Sequence, residues 1–176
     1  MALLLLALLA PSLPQFQGKA FAGRAVAYPI ALLALPIAWF IFGRRRLPFP
    51  ALSDALLGLP FLIDMVGNAL NLYDAIDWWD DLNHLGNWAL HTAAIVLLAR
   101  LLGQPRRVQV SLGIAWASTT AILWELAEFV AFVPNSPEAA TAYTDTLGDL
   151  ALGLIGGTFG ALFVAFAMRA PGEATA

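Results

Sequence analysis

The chain has 176 residues, of which 60% are hydrophobic and only 12% are charged. That charged share is about half of the usual value for a soluble domain, so the composition predicts a polytopic membrane protein of one domain, 1–176. The absence of cysteine excludes a disulfide framework, a thiolate metal site and a cysteine nucleophile. The net charge of −3 and the lack of a large basic cluster argue against nucleic acid as a partner.

Six apolar runs follow one another along the chain. The first, 2–14, is interrupted by prolines and is shorter than the ~20 residues that a full span requires, so it predicts a short or half-inserted helix. The other five are long enough to cross a bilayer as α-helices. We therefore predict an all-α transmembrane bundle of five to six spans. The five longer runs are 25–43, 52–73, 84–102, 108–133 and 144–168.

Arginines mark three of the loop ends. They follow the second run at 44–46, follow the fourth at 106–107, and close the last at Arg169. Because successive spans alternate in direction, these ends should share one side, which the positive-inside rule makes cytoplasmic. The sequence thus predicts a multi-pass protein of the inner (plasma) membrane, with membrane lipids as partners. The junction 74–83 and the loop 134–142 should then face outward.

Acidic and imidazole side chains interrupt the last four runs toward their outward ends. Their spacing of three or four residues places each set on one helix face. A charge in the hydrocarbon costs about 2.5–3.5 kcal/mol on insertion scales, so these polar stripes should face one another rather than lipid. The stripes are Asp64 and Asn68 in the third run; Asp80, His84, Asn87 and His91 in the fourth; Glu125 and Glu128 in the fifth; and Asp145 and Asp149 in the last.

This set of side chains suits a divalent cation. Carboxylates and imidazoles three or four residues apart on facing helices build metal sites in helical bundles. An oxygen-rich set of this kind fits Zn²⁺, Mn²⁺, Mg²⁺ or Fe²⁺. The predicted ligands are Asp80, His84, Glu125, Glu128, Asp145 and Asp149. The predicted cavity-lining or supporting residues are Asp64, Asn68, Asn87 and His91.

Simpler interpretations exist for several of these residues. His91 can be a core imidazole bonded to a helix neighbour, and Asp64 can bond Asn68 or a hydroxyl group. Glu125 and Glu128 lie one turn apart in an apolar helix and repel each other unless something neutralises them. A shared proton would do so without any ion.

Three motifs carry a family resemblance. They are Trp79-Asp80-Asp81-Leu82-Asn83-His84-Leu85, Trp124-Glu125-Leu126-Ala127-Glu128-Phe129 and Asp145-Thr146-Leu147-Gly148-Asp149 with the small-residue tail 151–157. In this order they resemble the YjdF-type family of uncharacterised bacterial inner-membrane proteins and, more remotely, the VanZ-like proteins. The resemblance implies a helical membrane fold and the same candidate residues, without implying a reaction. VanZ-like proteins are linked to glycopeptide tolerance at the cell envelope.

Three kinds of function remain open at this stage. The first is a metal-dependent membrane enzyme acting on a lipid or envelope intermediate. The second is a structural or assembly subunit of a larger membrane complex, in which the polar cluster holds helices together and other membrane subunits are partners. The third is a small ion or proton-coupled transporter, although few polar residues lie in the inner halves of the spans to form a path.

Overall fold

The computed structural model describes residues 2–13, 15–17, 19–131, 133 and 137–168. This part of the chain forms seven α-helices and no strand, which confirms the predicted all-α class. Short π-helical turns extend the second helix through Trp39–Gly43 and the last through Phe163–Ala167. The helices are α1 Ala2–Leu9, α2 Phe21–Ala38, α3 Ala51–Ala69, α4 Leu72–Ala75, α5 Trp79–Leu101, α6 Arg106–Ala131 and α7 Ala142–Leu162.

Four segments are long and apolar enough to cross a membrane. They are Phe21–Gly43, Ala51–Ala69, Arg106–Ala131 and Ala142–Ala167. α1 has eight residues, and at 1.5 Å per residue its length of about 12 Å is too short for a span. α5 has 23 residues and is long enough, but its first half carries the polar stripe. The structure therefore supports four of the five to six predicted spans.

The third predicted span ends earlier than the sequence indicates. α3 stops at Ala69 instead of continuing to Tyr73, and Asn71 follows with a φ of 57°. A left-handed residue cannot continue a right-handed helix, and asparagine tolerates this conformation better than most residues. The chain then folds into α4, which carries Tyr73 toward the side of α3.

α5 and α7 approach each other at the backbone. A Cβ atom added to Gly156 would lie 2.0 Å from the carbonyl oxygen of Leu85, and one on Gly160 would lie 2.3 Å from that of Ala89. Only residues without a side chain allow this separation. α5 and α7 are therefore held together closely, and that contact positions the polar residues at their N-terminal ends.

α3 and α6 pack on α5 but have little direct contact with each other. α3 also packs with α1 and α2 around a core that includes Phe16, Tyr28 and Met65. α6 packs on α7 as well, through Ala117 and Ala121. This arrangement leaves a space over one face of α5, with α2 and α3 on one side and α6 on the other.

The other end of the bundle is basic. Arg100 donates hydrogen bonds to the carbonyl oxygens of Met168, at 3.2 Å, and Val164. Arg106 lies over the ring of Phe166, 5.9 Å from its centroid. The C-terminal ends of α5 and α7 and the start of α6 therefore meet at one end, while the acidic stripes lie at the opposite end.

Candidate functional site

A cavity of about 500 Å³ occupies the space over α5. This volume falls in the usual range for small-molecule sites in proteins. Nine of the ten residues that the sequence singles out line it, and the tenth, Asp149, lies beside the cavity residue His84. The nine are Asp64, Asn68, Asp80, His84, Asn87, His91, Glu125, Glu128 and Asp145.

His84 lies at the centre of the acidic stripes. Its Nδ1 atom is 3.8 Å from Oε1 of Glu125 on α6. Its Nε2 atom is 3.7 Å from Oδ1 of Asp149 on α7 and 3.8 Å from Oδ1 of Asp80 on its own helix. Three helices thus bring carboxylates to both nitrogens of a single imidazole ring.

The position of the His84 ring is well defined by its surroundings. The ring stacks on Trp88 with a centroid separation of 5.3 Å and an interplanar angle of 5°. His84 is 3% exposed and Glu125 is 9% exposed. Nδ1 of His84 and Oε1 of Glu125 have no hydrogen-bond partner among the residues described. Buried polar atoms without a partner are uncommon, and a bound ion or water is one way to satisfy them.

Ligand atoms from these residues form two overlapping groups within 4.8 Å. One group consists of Asp80, His84 and Asp149, and the other of His84, Glu125 and Glu128. The structure therefore brings together five of the six residues predicted as ligands. Asp145 lines the cavity but is exposed and belongs to neither group.

Two of the predicted supporting residues have partners away from the cluster. His91 donates from Nε2 to the carbonyl oxygen of Leu57 on α3 at 3.2 Å, which matches the interpretation of a core imidazole. Asn87 donates to Oδ1 of Asn83 at 3.3 Å, and Asn83 in turn donates to the carbonyl oxygen of Trp79. These side chains extend the polar face of α5 below His84.

Asp64 and Asn68 belong to a second polar group on the opposite wall. Arg24 pairs with both oxygens of Asp64, from Nε at 2.9 Å and from Nη2 at 3.1 Å. The Tyr28 hydroxyl donates to Oδ2 of Asp64 at 2.5 Å, and Asn68 donates to Oδ1 at 3.0 Å. The Tyr73 hydroxyl donates to Oδ1 at 3.3 Å. Burial, and then the carboxylate of Asp64, raise the pKa of Tyr73 above its ordinary value, so the hydroxyl stays a neutral donor.

The amide and hydroxyl partners of Asp64 are predictable from the sequence, whereas its pairing with Arg24 was not predicted. The second predicted span begins at residue 25 and leaves Arg24 outside, whereas α2 begins at Phe21 and places Arg24 one turn inside. A cation inside an apolar helix needs an acidic partner, and this signal could have been used. The presence of Arg24 in an apolar segment predicts an acidic partner on a neighbouring helix. Asp64 fits this prediction because it is the acid that lies deepest in the third run.

Lys19 completes the cationic side of the cavity. Its Nζ atom is 2.6 Å from Oδ2 of Asp74 and donates to Oδ1 of Asn71 at 3.3 Å. The carbonyl oxygen of Lys19 accepts a hydrogen bond from Nη1 of Arg24. The cavity therefore has one wall of carboxylates and two imidazoles on α5, α6 and α7. The opposite wall carries two paired cations, which lie before and within α2.

These features define a class of protein: a polytopic helical membrane protein with a carboxylate and imidazole cluster inside the bundle. The chain belongs to the family described as "Predicted membrane protein (DUF2238)", which it matches over residues 1–170. This match confirms the predicted membership of an uncharacterised membrane protein family. Neither a curated protein nor a solved structure matches the chain. The remote likeness to VanZ-like proteins stays a prediction.

Proposed function

We propose that this protein is a metal-dependent membrane enzyme that acts on a lipid or envelope intermediate at the non-cytoplasmic end of the bundle. The observation that carries the proposal is the arrangement around His84. A buried imidazole faces carboxylates on both of its nitrogens, and neither Nδ1 nor the opposing Glu125 oxygen has a hydrogen bond among the described residues.

The distances favour a shared ion over hydrogen bonds. The nitrogen–oxygen separations of 3.7 and 3.8 Å around His84 exceed those of hydrogen bonds, which lie near 2.7–3.2 Å. Two ligand atoms each about 2.1 Å from a tetrahedral Zn²⁺ would be about 3.4 Å apart. A small inward movement of side chains is sufficient to convert either group of three into a coordination site.

The charges also favour a cation. Four carboxylates surround His84: those of Asp80, Glu125, Glu128 and Asp149. The two cations that line the cavity, Lys19 and Arg24, are paired with Asp74 and Asp64 on the other wall. A divalent ion would offset the repulsion between these neighbouring carboxylates, because like charges close together in an apolar bundle are unfavourable.

Either nitrogen of His84 can serve as the ligand. The other nitrogen would then carry its hydrogen and donate to the carboxylate on its own side, an arrangement that commonly orients metal-bound histidines. The ion would polarise a phosphoryl or carbonyl oxygen, or activate a water molecule. Glu125 or Glu128, which belong to the second group and line the cavity, would be available to accept a proton.

Metal analysis of the purified protein tests this proposal. We expect the detergent-solubilised protein to contain stoichiometric divalent metal and the His84→Ala variant to lose it. His91→Ala is the matched control, because His91 is the second of the two histidines and bonds Leu57 outside both groups. Asp80→Asn and its exposed neighbour Asp81→Asn form a second matched pair.

The same experiment distinguishes a metal site from a polar cluster that only holds helices together. If the wild-type protein contains no metal after purification without chelators and reloading with Zn²⁺ or Mn²⁺, the proposal is wrong. A cluster that only holds helices together would bind no metal, and the assembled complex would tolerate Glu125→Gln. If His84→Ala and His91→Ala lose metal equally, the loss would come from a general effect on folding and not from removal of a metal ligand.

A further inference from the structure

We infer that the substrate is a phosphate-bearing membrane lipid that enters the cavity sideways between α3 and α6. The inference rests on the proposed function for the ion that meets the headgroup. It adds the class of substrate, the route of entry and the residues that recognise the phosphate.

The cavity separates the backbones of α3 and α6, and the side chain of Trp124 on α6 packs against the core that α3 shares with α1 and α2. α3 and α6 flank α5 with little contact between them. Pro60 and Phe61 of α3 face the cavity from one side, and Trp116 and Trp124 of α6 from the other. Both helices are among the segments that are able to span the membrane. In a bilayer, an opening between these two helices beside Trp124 would face acyl chains and not water.

The length of the cavity is also informative. On α6 it is lined by Trp116, Thr120, Trp124 and Glu128, which are spaced four residues apart on one face. At 1.5 Å per residue, Trp116 and Glu128 are about 18 Å apart along the helix axis. This is more than half of the roughly 30 Å hydrocarbon thickness of a bilayer. A site for a small soluble ion or metabolite does not need an aromatic channel of this depth.

Polarity changes along that length. The end near the start of α5 carries Asp80, His84 and Glu128. Toward the other end the lining includes the apolar side chains of Pro60, Phe61, Trp88 and Trp116, together with Thr120 and the partnered His91. Trp116 remains 37% exposed although it lies in the middle of α6. A ligand with one polar and one apolar end matches this gradient, and a membrane lipid already has the required orientation.

Lys19 and Arg24 identify the headgroup as an anion. A lysine has three N–H donors and an arginine has five. The contacts described for Lys19 use two donors, and those for Arg24 use one on each nitrogen, so N–H groups remain on both cavity-lining side chains. A phosphate between this wall and an ion at His84 would contact positive charge on both sides.

Lipid binding by the purified protein, measured by native mass spectrometry, tests the inference. The probes are dioleoyl phosphatidic acid, dioleoylglycerol, which lacks the phosphate, and inorganic phosphate, which lacks the chains. We expect phosphatidic acid to bind at least about tenfold more tightly than either of the others, which corresponds to roughly 1.4 kcal/mol. Equal binding of phosphatidic acid and dioleoylglycerol, or of phosphatidic acid and inorganic phosphate, would overturn it.

Variants separate the headgroup from the chains. Lys19→Gln should remove the preference for phosphatidic acid over dioleoylglycerol, whereas Asp74→Asn breaks the same ion pair but keeps the lysine and should retain the preference. Trp116→Ala should weaken both lipids, whereas Phe42→Ala, an 80% exposed aromatic outside the cavity, should weaken neither. Thermal unfolding confirms that each variant is folded. If folded Lys19→Gln keeps the wild-type preference, the assignment of the headgroup is wrong.

The outcome is distinguishable from failure of the proposed function. If the protein contains metal but does not prefer phosphatidic acid over dioleoylglycerol, the metal site stands and the lipid inference is wrong. Protein without metal that binds both lipids equally overturns both. Protein that lacks metal but still prefers phosphatidic acid, with the variant pattern above, supports the lateral site and overturns the metal-dependent enzyme.

Discussion

At the scale of single residues, Asp64 is the most completely bonded acid of the cavity. Its carboxylate accepts hydrogen bonds from Arg24, Tyr28, Asn68 and Tyr73 and is buried. A buried ion pair of this kind need not stabilise the fold relative to an apolar pair, but losing one partner leaves the other charge uncompensated. This asymmetry makes the pair a sharp test of the structure.

We predict that Asp64→Ala destabilises the protein by about 3–5 kcal/mol, because the Arg24 guanidinium stays buried without its partner. Asp74→Ala, which removes the half-exposed partner of Lys19, should cost less than about 1 kcal/mol. Unfolding in mixed micelles with increasing denaturant measures both values. Similar losses in the two variants would contradict the arrangement around Asp64.

Removal of metal should destabilise the wild-type protein specifically. A ligand present at 100 times its Kd stabilises the folded state by about 2.7 kcal/mol, and chelation abolishes this contribution. We therefore expect EDTA to lower the Tm of the wild-type and His91→Ala proteins and to leave that of His84→Ala unchanged. Thermal unfolding followed by tryptophan fluorescence provides the measurement, and a Tm that does not respond to EDTA in any of the three proteins would contradict the ion at His84.

Residue identities in the acidic cluster could be read from the chain because charges in apolar runs are rare and expensive. Helical spacing then placed Asp80 and His84 on one face. The exposure of Asp145 could not be read in the same way, because an exposed acid and a buried acid near a helix start have the same sequence pattern. Arg24 was missed because the start of α2 was placed four residues too late.

At the scale of helices, the contact between α5 and α7 depends on glycine. We predict that Gly156→Ala destabilises the bundle by about 1–3 kcal/mol or more, because the added Cβ would lie against the Leu85 carbonyl oxygen and force the helices apart. Gly148→Ala is the control on the same helix, since nothing lies within 4 Å of its added Cβ. Alanine there should be neutral or stabilising by about 1 kcal/mol.

Thermal unfolding of the two glycine variants in detergent distinguishes them. The variant at Gly156 should also displace His84 relative to Asp149, because these residues lie on the two helices that move apart, so its metal content should fall. A Gly156→Ala protein as stable as Gly148→Ala would contradict the close approach of α5 and α7.

Helix positions were predictable from the sequence to within a few residues, since long apolar runs bounded by prolines, arginines and glycines have few alternatives. α6, for example, spans Arg106–Ala131 where the run indicates 108–133. The end of α3 was not predictable, because Asn71 has the left-handed conformation through contacts with Lys19 and α4. The apolar run itself continues past the point where the helix stops.

At the scale of the whole molecule, the orientation of the bundle remains a prediction from the arginines. We expect Asp77→Cys to react with a membrane-impermeant maleimide in intact cells, and Gln104→Cys to react only after lysis. Both residues are exposed, and the chain contains no cysteine that would react in the background. Labelling of the two sites in the reverse order would place the acidic end of the cavity in the cytoplasm and remove the support for an envelope substrate.

The sequence by itself determined the class of protein, the helices and the acids that converge, because burying charge in an apolar chain is so costly that few arrangements satisfy it. Only the tertiary structure decided which nitrogen of His84 faces which carboxylate, which acid pairs with Arg24, and that a cavity lies between α3 and α6. Those features depend on distances between segments far apart in the chain. Such distances are set by backbone contacts at Gly156 and by the reversal at Asn71, which local spacing does not encode.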